Sequence, residues 1–594
     1  MKSRRILACL LCVALALGIT ACSTTSTGTP PPVEPAGYTP GTYEASAQGM
    51  NGPVPVSVTV SEDKIESVVV GDNRETKGLG TYSIDLIPQR IVEEQSLAVD
   101  NVTGATITAG AILRAVETAL TEAGADIASL KVPKEPPALT QGETETFDVV
   151  IVGAGLAGIH AAYELLATSP ETTYVVLEKR DIVTGSLPPS GGAIAGTTSN
   201  LHAAANAECT VDDLIAMLQK GVDEGQPATI NRELVTNVYA KSATILNRMQ
   251  DWGFPFYTTP RLSSVYTTKV NYFSPTTATG EASNGQDFAA FFVSHVAANP
   301  FNLRLGNKVT DLVVTDGAVT GVKVLDVKAN KEYQIDAKAV LLVTGGFAAN
   351  PELVAKYNPE YLSAIMRSHS GATGDGYVMT EQFGTKVLGT GVMGTPRVDI
   401  NTNPLTSRFY ATVDGGRIYN ENAPNYAMVR AMAAYGKDVF ALLDSKFENK
   451  ELLAQHMEKG FAREYDSLEA LAEGEGINKE TLLATVDAYN KAVDEGKSPG
   501  YDLPADKAVK LDTAPYYAEK LYMTYFGVIP GIEVDGETRV LDGNGTPVPN
   551  LYAAGELTFG NITNNRYPGT GIGISYASFS GPLAINTIIA DLSK

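Results

Sequence analysis

The segment Phe147-Asp148-Val149-Val150-Ile151-Val152 runs directly into Gly153-Ala154-Gly155-Leu156-Ala157-Gly158 and then into a helical stretch through Leu166, and it constrains the fold more than any other part of the chain. The apolar run reads as a buried strand, and the glycines let the backbone turn sharply and start a helix close against it. A second apolar run, Tyr174 to Leu177, ends at Glu178, twenty residues after Gly158. Strand, glycine turn, helix, strand and acid at this spacing predict a βαβ unit of Rossmann type holding a dinucleotide. The pyrophosphate is expected at the helix N-terminus, against Gly153, Gly155, Ala157 and Gly158, and the ribose hydroxyls at Glu178. These residues alone admit either a flavin or a nicotinamide nucleotide.

Three later segments separate the two. Ser190-Gly191-Gly192 follows the second strand, Val340 to Phe347 is a late strand ending in glycines, and Leu551-Tyr552-Ala553-Ala554-Gly555-Glu556 lies near the C-terminus. Together they resemble the FAD-dependent family of fumarate reductase, urocanate reductase and 3-ketosteroid dehydrogenase. The resemblance implies non-covalent FAD held by the glycine turn, Glu178, Ser190, Gly191, Gly192, Glu556 and Ile572. It also implies a capping subdomain over the flavin, at 361–523, with Asp375 of Gly371-Ala372-Thr373-Gly374-Asp375-Gly376 as a further FAD contact at its entry.

Upstream, two Pro-rich polar stretches at 23–37 and 131–146 read as linkers and isolate a module at 38–130. In it Val54 to Val60 alternates apolar and small polar residues, Ser67 to Val70 is a short β-rich run, and Ile112, Val116 and Leu120 recur at helical spacing, so a small α+β domain is expected. Asp100-Asn101-Val102-Thr103-Gly104-Ala105-Thr106 resembles the Dxx[ST]GAT signature of the FMN-binding domain, and Glu75-Thr76-Lys77-Gly78-Leu79-Gly80 its ET-x-G-x-G stretch. That resemblance implies FMN joined covalently through its phosphate to Thr106 by a flavin transferase. The expected fold class is α/β: a Rossmann-like FAD-binding domain at 147–360 and 524–594 with an inserted α+β cap, preceded by the α+β FMN-binding domain.

At the N-terminus Lys2, Arg4 and Arg5 precede an apolar stretch from Ile6 to Ile19, then Thr20-Ala21-Cys22. Basic residues, a short apolar core and small residues read as an export signal over 1–22, and the placing of Cys22 resembles the lipobox of bacterial lipoproteins. The apolar stretch is shorter than the ~20 residues a span requires. The expected location is the outer face of the cytoplasmic membrane, held by lipid only. Beyond the signal only Cys22 and Cys209 remain, too few for a disulfide framework or a cysteine-bound metal, so no metal is expected. The net charge of −22 argues against nucleic-acid partners.

Flavin-driven reduction of an activated double bond needs a hydride source, a proton donor and donors on the oxygen that gathers charge. In fumarate reductases a GxRFxNE stretch precedes a catalytic Arg; here Gly415-Gly416-Arg417-Ile418-Tyr419-Asn420-Glu421 is followed by Asn422-Ala423-Pro424-Asn425-Tyr426, without that Arg. Tyr426 is the candidate proton donor, one residue beyond the Tyr of ketosteroid dehydrogenases, with Asn425 in the matching slot. Asn565-Arg566-Tyr567-Pro568-Gly569-Thr570-Gly571 joins the Arg of carboxylate reductases to the Tyr-Pro-Gly-x-Gly of ketosteroid enzymes. Arg566 is thus expected to clamp a carboxylate, and Tyr567 with the Gly571 amide to hold an enolate oxygen. The fumarate histidines are absent, and Tyr525, Phe526 and Tyr567 suit a larger, more apolar acceptor.

These residues lead to an exported reductase of an α,β-unsaturated carbonyl compound, a urocanate- or cinnamate-like enoate or an enone, serving anaerobic respiration. Electrons would pass from a membrane donor through FMN and FAD. The alternatives are a ketosteroid-type dehydrogenase working in reverse, and a non-catalytic electron-transfer lipoprotein.

Overall fold

The structure, a computed structural model, describes residues 37–594 apart from 50–51, 76–79, 100–105, 134, 136, 208, 221–229, 265–266, 278–279, 400–401, 406–408 and 423–424. Cys22 and the leader lie outside the described residues, as do Asp100 to Ala105 and the side chain of Thr106.

Strands β1 (Gly41–Gln48), β2 (Pro53–Val60) and β3 (Ile65–Val70) form an antiparallel sheet in that order. The alternation in β2 turns Val54, Val56, Val58 and Val60 inward, against helices α1 (Gly80–Glu94) and α2 (Thr106–Glu122). Ile112, Val116 and Leu120 are fully buried on α2, whose first residue is Thr106. Strand β1 escaped the sequence reading because its residues are largely exposed or half-buried and polar. This core is closed within Tyr38 to Leu130.

The large module follows. Strand β4 (Glu145–Val152) leads into α3 (Leu156–Thr168) and β5 (Tyr174–Leu177). After a helical excursion come β6 (Leu303–Arg304), the hairpin β7 (Asn307–Thr315) and β8 (Ala318–Asp326), and β9 (Lys331–Leu342). The sheet order is β6-β5-β4-β9-β8-β7, parallel from β6 to β9 and antiparallel beyond. The segment read as a linker is partly fixed: Thr140–Gln141 pairs with the start of β9, and Asn330 donates to the Pro137 carbonyl at 2.7 Å. Arg90 of α1 pairs with Asp181, and Lys328 with Glu93 at 3.1 Å, tying the small module to the large one.

Beyond β9 lie β10 (Ile365–Met366), α4 (Asp375–Thr380), β11 (Val392–Arg397), β12 (Phe409–Thr412), α5 (Asn425–Tyr435), β13 (Val439–Asp444) and the long β14 (Tyr516–Val528). The first half of β14 pairs with β13; its second half takes β10 on one side and β11 on the other. Within residues 361–523, expected from sequence to form the cap, Tyr361, Tyr377 and Met393 pack into the main core, and the Tyr377 hydroxyl donates to the Pro530 carbonyl at 2.6 Å. The cap's own cores run from Val398 to Leu521. Arg417 of the GxRFxNE-like stretch is structural: it pairs with Glu421 and lies over the rings of Phe409, Tyr489 and Tyr501.

Strand β15 (Pro547–Ala553) returns to pair in parallel with β9, and α6 (Ile572–Leu592) closes the module. Helix α6 is apolar and long enough to cross a membrane, but 78% of its apolar window is buried in the protein. A Cβ on Gly581 would lie 2.2 Å from the Ala157 carbonyl oxygen, so glycine there lets α6 press onto α3.

Candidate active site

One cavity of about 650 Å³ lies between the C-terminal ends of β4, β5 and β9 and the strands under the cap. Its nucleotide end is built as the glycine spacing requires. Gly153 adopts φ +113°, and a Cβ there would sit 2.4 Å from the Val343 carbonyl oxygen; on Gly158 it would sit 2.0 Å from that of Gly153. Helix α3 begins at Gly155 with no side-chain cap, leaving its first amides for a ligand. Glu178, buried at the end of β5, accepts the Ala154 N–H at 2.9 Å and the Arg180 N–H at 3.0 Å, so it orders the glycine turn as well as facing the cavity.

Ser190, Gly191 and Gly192 line the same cavity. At φ +71°, Gly192 would put a Cβ 2.3 Å from the Asn284 carbonyl carbon. Asp375 also lines it, bound to Lys179 Nζ at 2.7 Å and to the Thr373 hydroxyl at 2.7 Å. Sequence reading missed Lys179, whose partner is distant in the chain. Glu556 accepts the Val528 N–H at 2.9 Å and the Ser186 hydroxyl at 3.4 Å, and burial raises its carboxyl to about 7. His369 touches Ser186 at 3.2 Å and is kept neutral by burial and then by Arg180 and Lys179.

At the other end Gly571, at φ +89°, caps α6; a Cβ there would meet the Ala195 nitrogen at 2.7 Å. The Tyr567 phenol oxygen accepts the Gly573 N–H at 3.1 Å, which leaves its own O–H to donate. Burial raises this phenol to about 12, so it stays protonated at neutral pH. The Tyr426 ring, in the first turn of α5, meets Tyr567 edge to face at 5.7 Å and 80°. Tyr426, Tyr567 and Gly571 all line the cavity.

Three of the expected residues are not among those lining the cavity. Ile572 is fully buried, and its helix neighbours Gly573 and Ile574 line the cavity instead, because successive helical side chains point in different directions. Arg566 stands outside the lining, near Arg430, whose guanidinium is pushed down by burial and then by the charge of Arg566. The arginines that line the cavity are Arg180, Arg367 and Arg397. Of the aromatic residues proposed for the acceptor, Phe526 and Tyr567 line it, whereas Tyr525 turns its hydroxyl to the Ala348 carbonyl at 2.9 Å.

The cradle therefore fits a dinucleotide: backbone can approach where side chains would collide, and uncapped amides face the space. Residues 148–574 match the FAD binding domain family. The chain belongs to that family. A second match, over residues 49–121, is to the FMN-binding domain. Among relatives, urocanate reductase of Eggerthella lenta is 28% identical, over 88% of this chain and 88% of its own length. NADH:acrylate oxidoreductase of Vibrio harveyi is 26% identical over 91% of this chain, which spans 60% of that relative. A flavocytochrome c3 fumarate reductase in its open conformation superposes with a TM-score of 0.60 at 25% identity, covering 76% of this chain and 79% of that one. The large module is thus an FAD-binding domain and the small one an FMN-binding domain, and Gly153, Gly155, Glu178 and Gly192 line the cavity whose shape fits the dinucleotide.

Proposed function

We propose that the protein reduces an activated carbon–carbon double bond, in an α,β-unsaturated carbonyl compound, outside the cytoplasm. The observation that carries this is the meeting of Tyr567, Gly573 and Tyr426 in the cavity that holds the FAD cradle. The Tyr567 hydroxyl donates to the substrate carbonyl oxygen as charge gathers there, and the Gly573 N–H on its own oxygen strengthens that donation. The Gly571 amide, at the start of α6, adds a second donor on the same side. Tyr426, facing Tyr567, delivers the proton to the α-carbon, while Phe526 excludes water and bears on the apolar body of the substrate. In this reading Thr106 carries the FMN through which electrons arrive, and FAD, when bound, supplies hydride.

The relatives named for reducing urocanate, acrylate and fumarate support this chemistry. Export and lipid anchoring through Cys22 rest on the leader sequence. The test is anaerobic: protein matured with its flavin transferase is reduced with dithionite and offered a panel of enoates and enones. Reoxidation of the flavin by at least one acceptor is expected. A panel in which none reoxidises it would refute the reductase reading and favour a pure electron carrier.

A further inference from the structure

Three side chains that the scheme above does not use form a chain of hydrogen bonds along the cavity wall. The His369 Nε2 lies 3.2 Å from the Ser186 hydroxyl oxygen, and that hydroxyl lies 3.4 Å from the Glu556 Oε2. All three residues line the cavity. The Glu556 end stands part-way along it. On the nucleotide side, a Cβ on the preceding Gly555 would lie 3.1 Å from Ala157 in the first turn of α3. Toward the reacting end, a Cβ on Gly527 would lie 3.0 Å from the Glu556 Oε1 and 3.1 Å from the Met393 sulfur, and one on Gly573 3.8 Å from that sulfur and 3.3 Å from the Tyr567 hydroxyl. A flavin nucleotide reaching from the glycine turn to Tyr567 therefore passes this carboxyl.

The two ends of the chain differ in what they do with a proton. Burial raises the Glu556 carboxyl to about 7 against the pull of the Val528 and Gly346 amides and the Ser186 hydroxyl. The titratable group facing it is Tyr377 of α4, whose phenol is pushed well up by burial and then by Glu556 and stays protonated. Such a carboxyl gains or loses its proton when the charge beside it changes. His369 does not hold one: burial, then Arg180 and Lys179, keep its ring neutral, and those cations pair with Glu178 at 3.6 Å and Asp375 at 2.7 Å. The His369 Nδ1 is buried without a partner among the described residues, beside Gly371, where a Cβ would lie 2.9 Å from it. A neutral imidazole takes a proton on one nitrogen and releases one from the other, and a serine hydroxyl rotates to donate either way. The ring and the hydroxyl thus conduct, and the carboxyl stores.

We propose that His369, Ser186 and Glu556 form a proton relay, through which Glu556 takes up one proton whenever the FAD of this cavity gains an electron pair. The flavin binds one proton with its two electrons and is left with one negative charge. That charge favours the neutral form of Glu556, so a second proton enters at the His369 Nδ1, leaves from Nε2 to Ser186, and passes to the carboxylate. Two electrons and two protons have then entered. When the pair departs as hydride the negative charge goes with it, and the Glu556 proton returns by the same path. The relay does not rest on the reductase reading, since any reductant that fills the flavin sets it in motion.

The test reads potential and proton uptake, with no acceptor present. Full-length protein from a host without the flavin transferase, its bound flavin verified as FAD after denaturation, is titrated spectroelectrochemically above neutral pH. The potential is expected to fall by about 60 mV per pH unit, two protons per electron pair at about 30 mV each. Glu556→Gln should halve that slope to about 30 mV, the single proton of the flavin itself. His369→Ala should keep the full slope, because a relay changes rates and not equilibria. On mixing with reduced methyl viologen it should instead slow proton uptake, followed by a pH-indicator dye, on the order of 100-fold, and added imidazole should restore the rate. Flavin content and melting temperature verify that each variant has folded. A slope near about 30 mV in the unaltered protein, or an undiminished one in Glu556→Gln, would overturn the store. Proton uptake as fast in His369→Ala as in the unaltered protein would overturn the path.

Discussion

Replacing Tyr567 by Phe tests the reacting end most directly, because it deletes one oxygen and keeps the ring. The ring's packing against Phe559 at 6.2 Å and against Tyr426 at 5.7 Å remains, so the fold loses only the acceptor for the Gly573 N–H. An unsatisfied amide there costs about 1–3 kcal/mol at most, less where water reaches the first turn of α6. The kinetic loss is larger: a donor aimed at a developing oxyanion is worth about 100- to 1000-fold in kcat, or about 3–4 kcal/mol. Burial holds the phenol at about 12, so it acts as a neutral donor and its contribution stays level through neutral pH. The sign for stability follows. A phenol whose folded pKa is raised stabilises the fold fully below about 10, and that contribution is lost as pH rises toward about 12. The assay is single-turnover reoxidation of reduced protein by the best acceptor, alongside flavin content and melting temperature. Unchanged turnover at full flavin content would refute the oxyanion role.

Gly192→Ala, which drives a methyl group into the Asn284 backbone at a positive φ, should purify with little FAD while the small module keeps its flavin; full FAD content by absorbance after denaturation would contradict the cradle. Burial raises the Glu556 carboxyl to about 7, so in deflavinated protein its contribution, about 3 kcal/mol, is complete below about 4.5 and is lost as pH rises through about 7. Glu556→Gln should flatten that part of the melting-temperature profile between pH 5 and pH 8; an identical profile would rule Glu556 out as its source. Thr106→Ala should release all flavin on denaturation, whereas the unaltered protein is expected to keep one yellow chromophore on the polypeptide in a denaturing gel; a coloured band from the variant would exclude Thr106 as the attachment point.

What could be read from the sequence was what the chain encodes locally. Strand, glycine turn and helix from Phe147 to Leu166 are contiguous, and the collisions that forbid side chains at Gly153 and Gly158 arise within that unit and the neighbouring Val343. The buried alternation of β2 and the helical spacing of Ile112, Val116 and Leu120 were visible for the same reason. The cationic residues of the site were not. Lys179 meets Asp375 across 196 positions, and Arg367 and Arg397 belong to no local pattern; they come together because β10 and β11 flank the same stretch of β14. Arg566 is the opposite case. It sits in a suggestive string, but the turn that aims Tyr567 into the cavity leaves it outside.

Helix α6 spans both ends of the cavity. Its N-terminal turn holds the Tyr567 phenol through the Gly573 N–H, and Gly581, eight residues on and about 12 Å away, touches Ala157 in the first turn of α3. One residue before Gly581, the Ser580 hydroxyl takes the Gly555 N–H at 3.0 Å, beside the Glu556 carboxylate. A rigid rod fixed at these points cannot shift at one end alone. The spacing between the glycine turn of the nucleotide end and the Tyr567 phenol is therefore set by the buried packing of this helix and not by the cap, and on the proposed reading that spacing is what would align a bound flavin with the donors on the substrate oxygen.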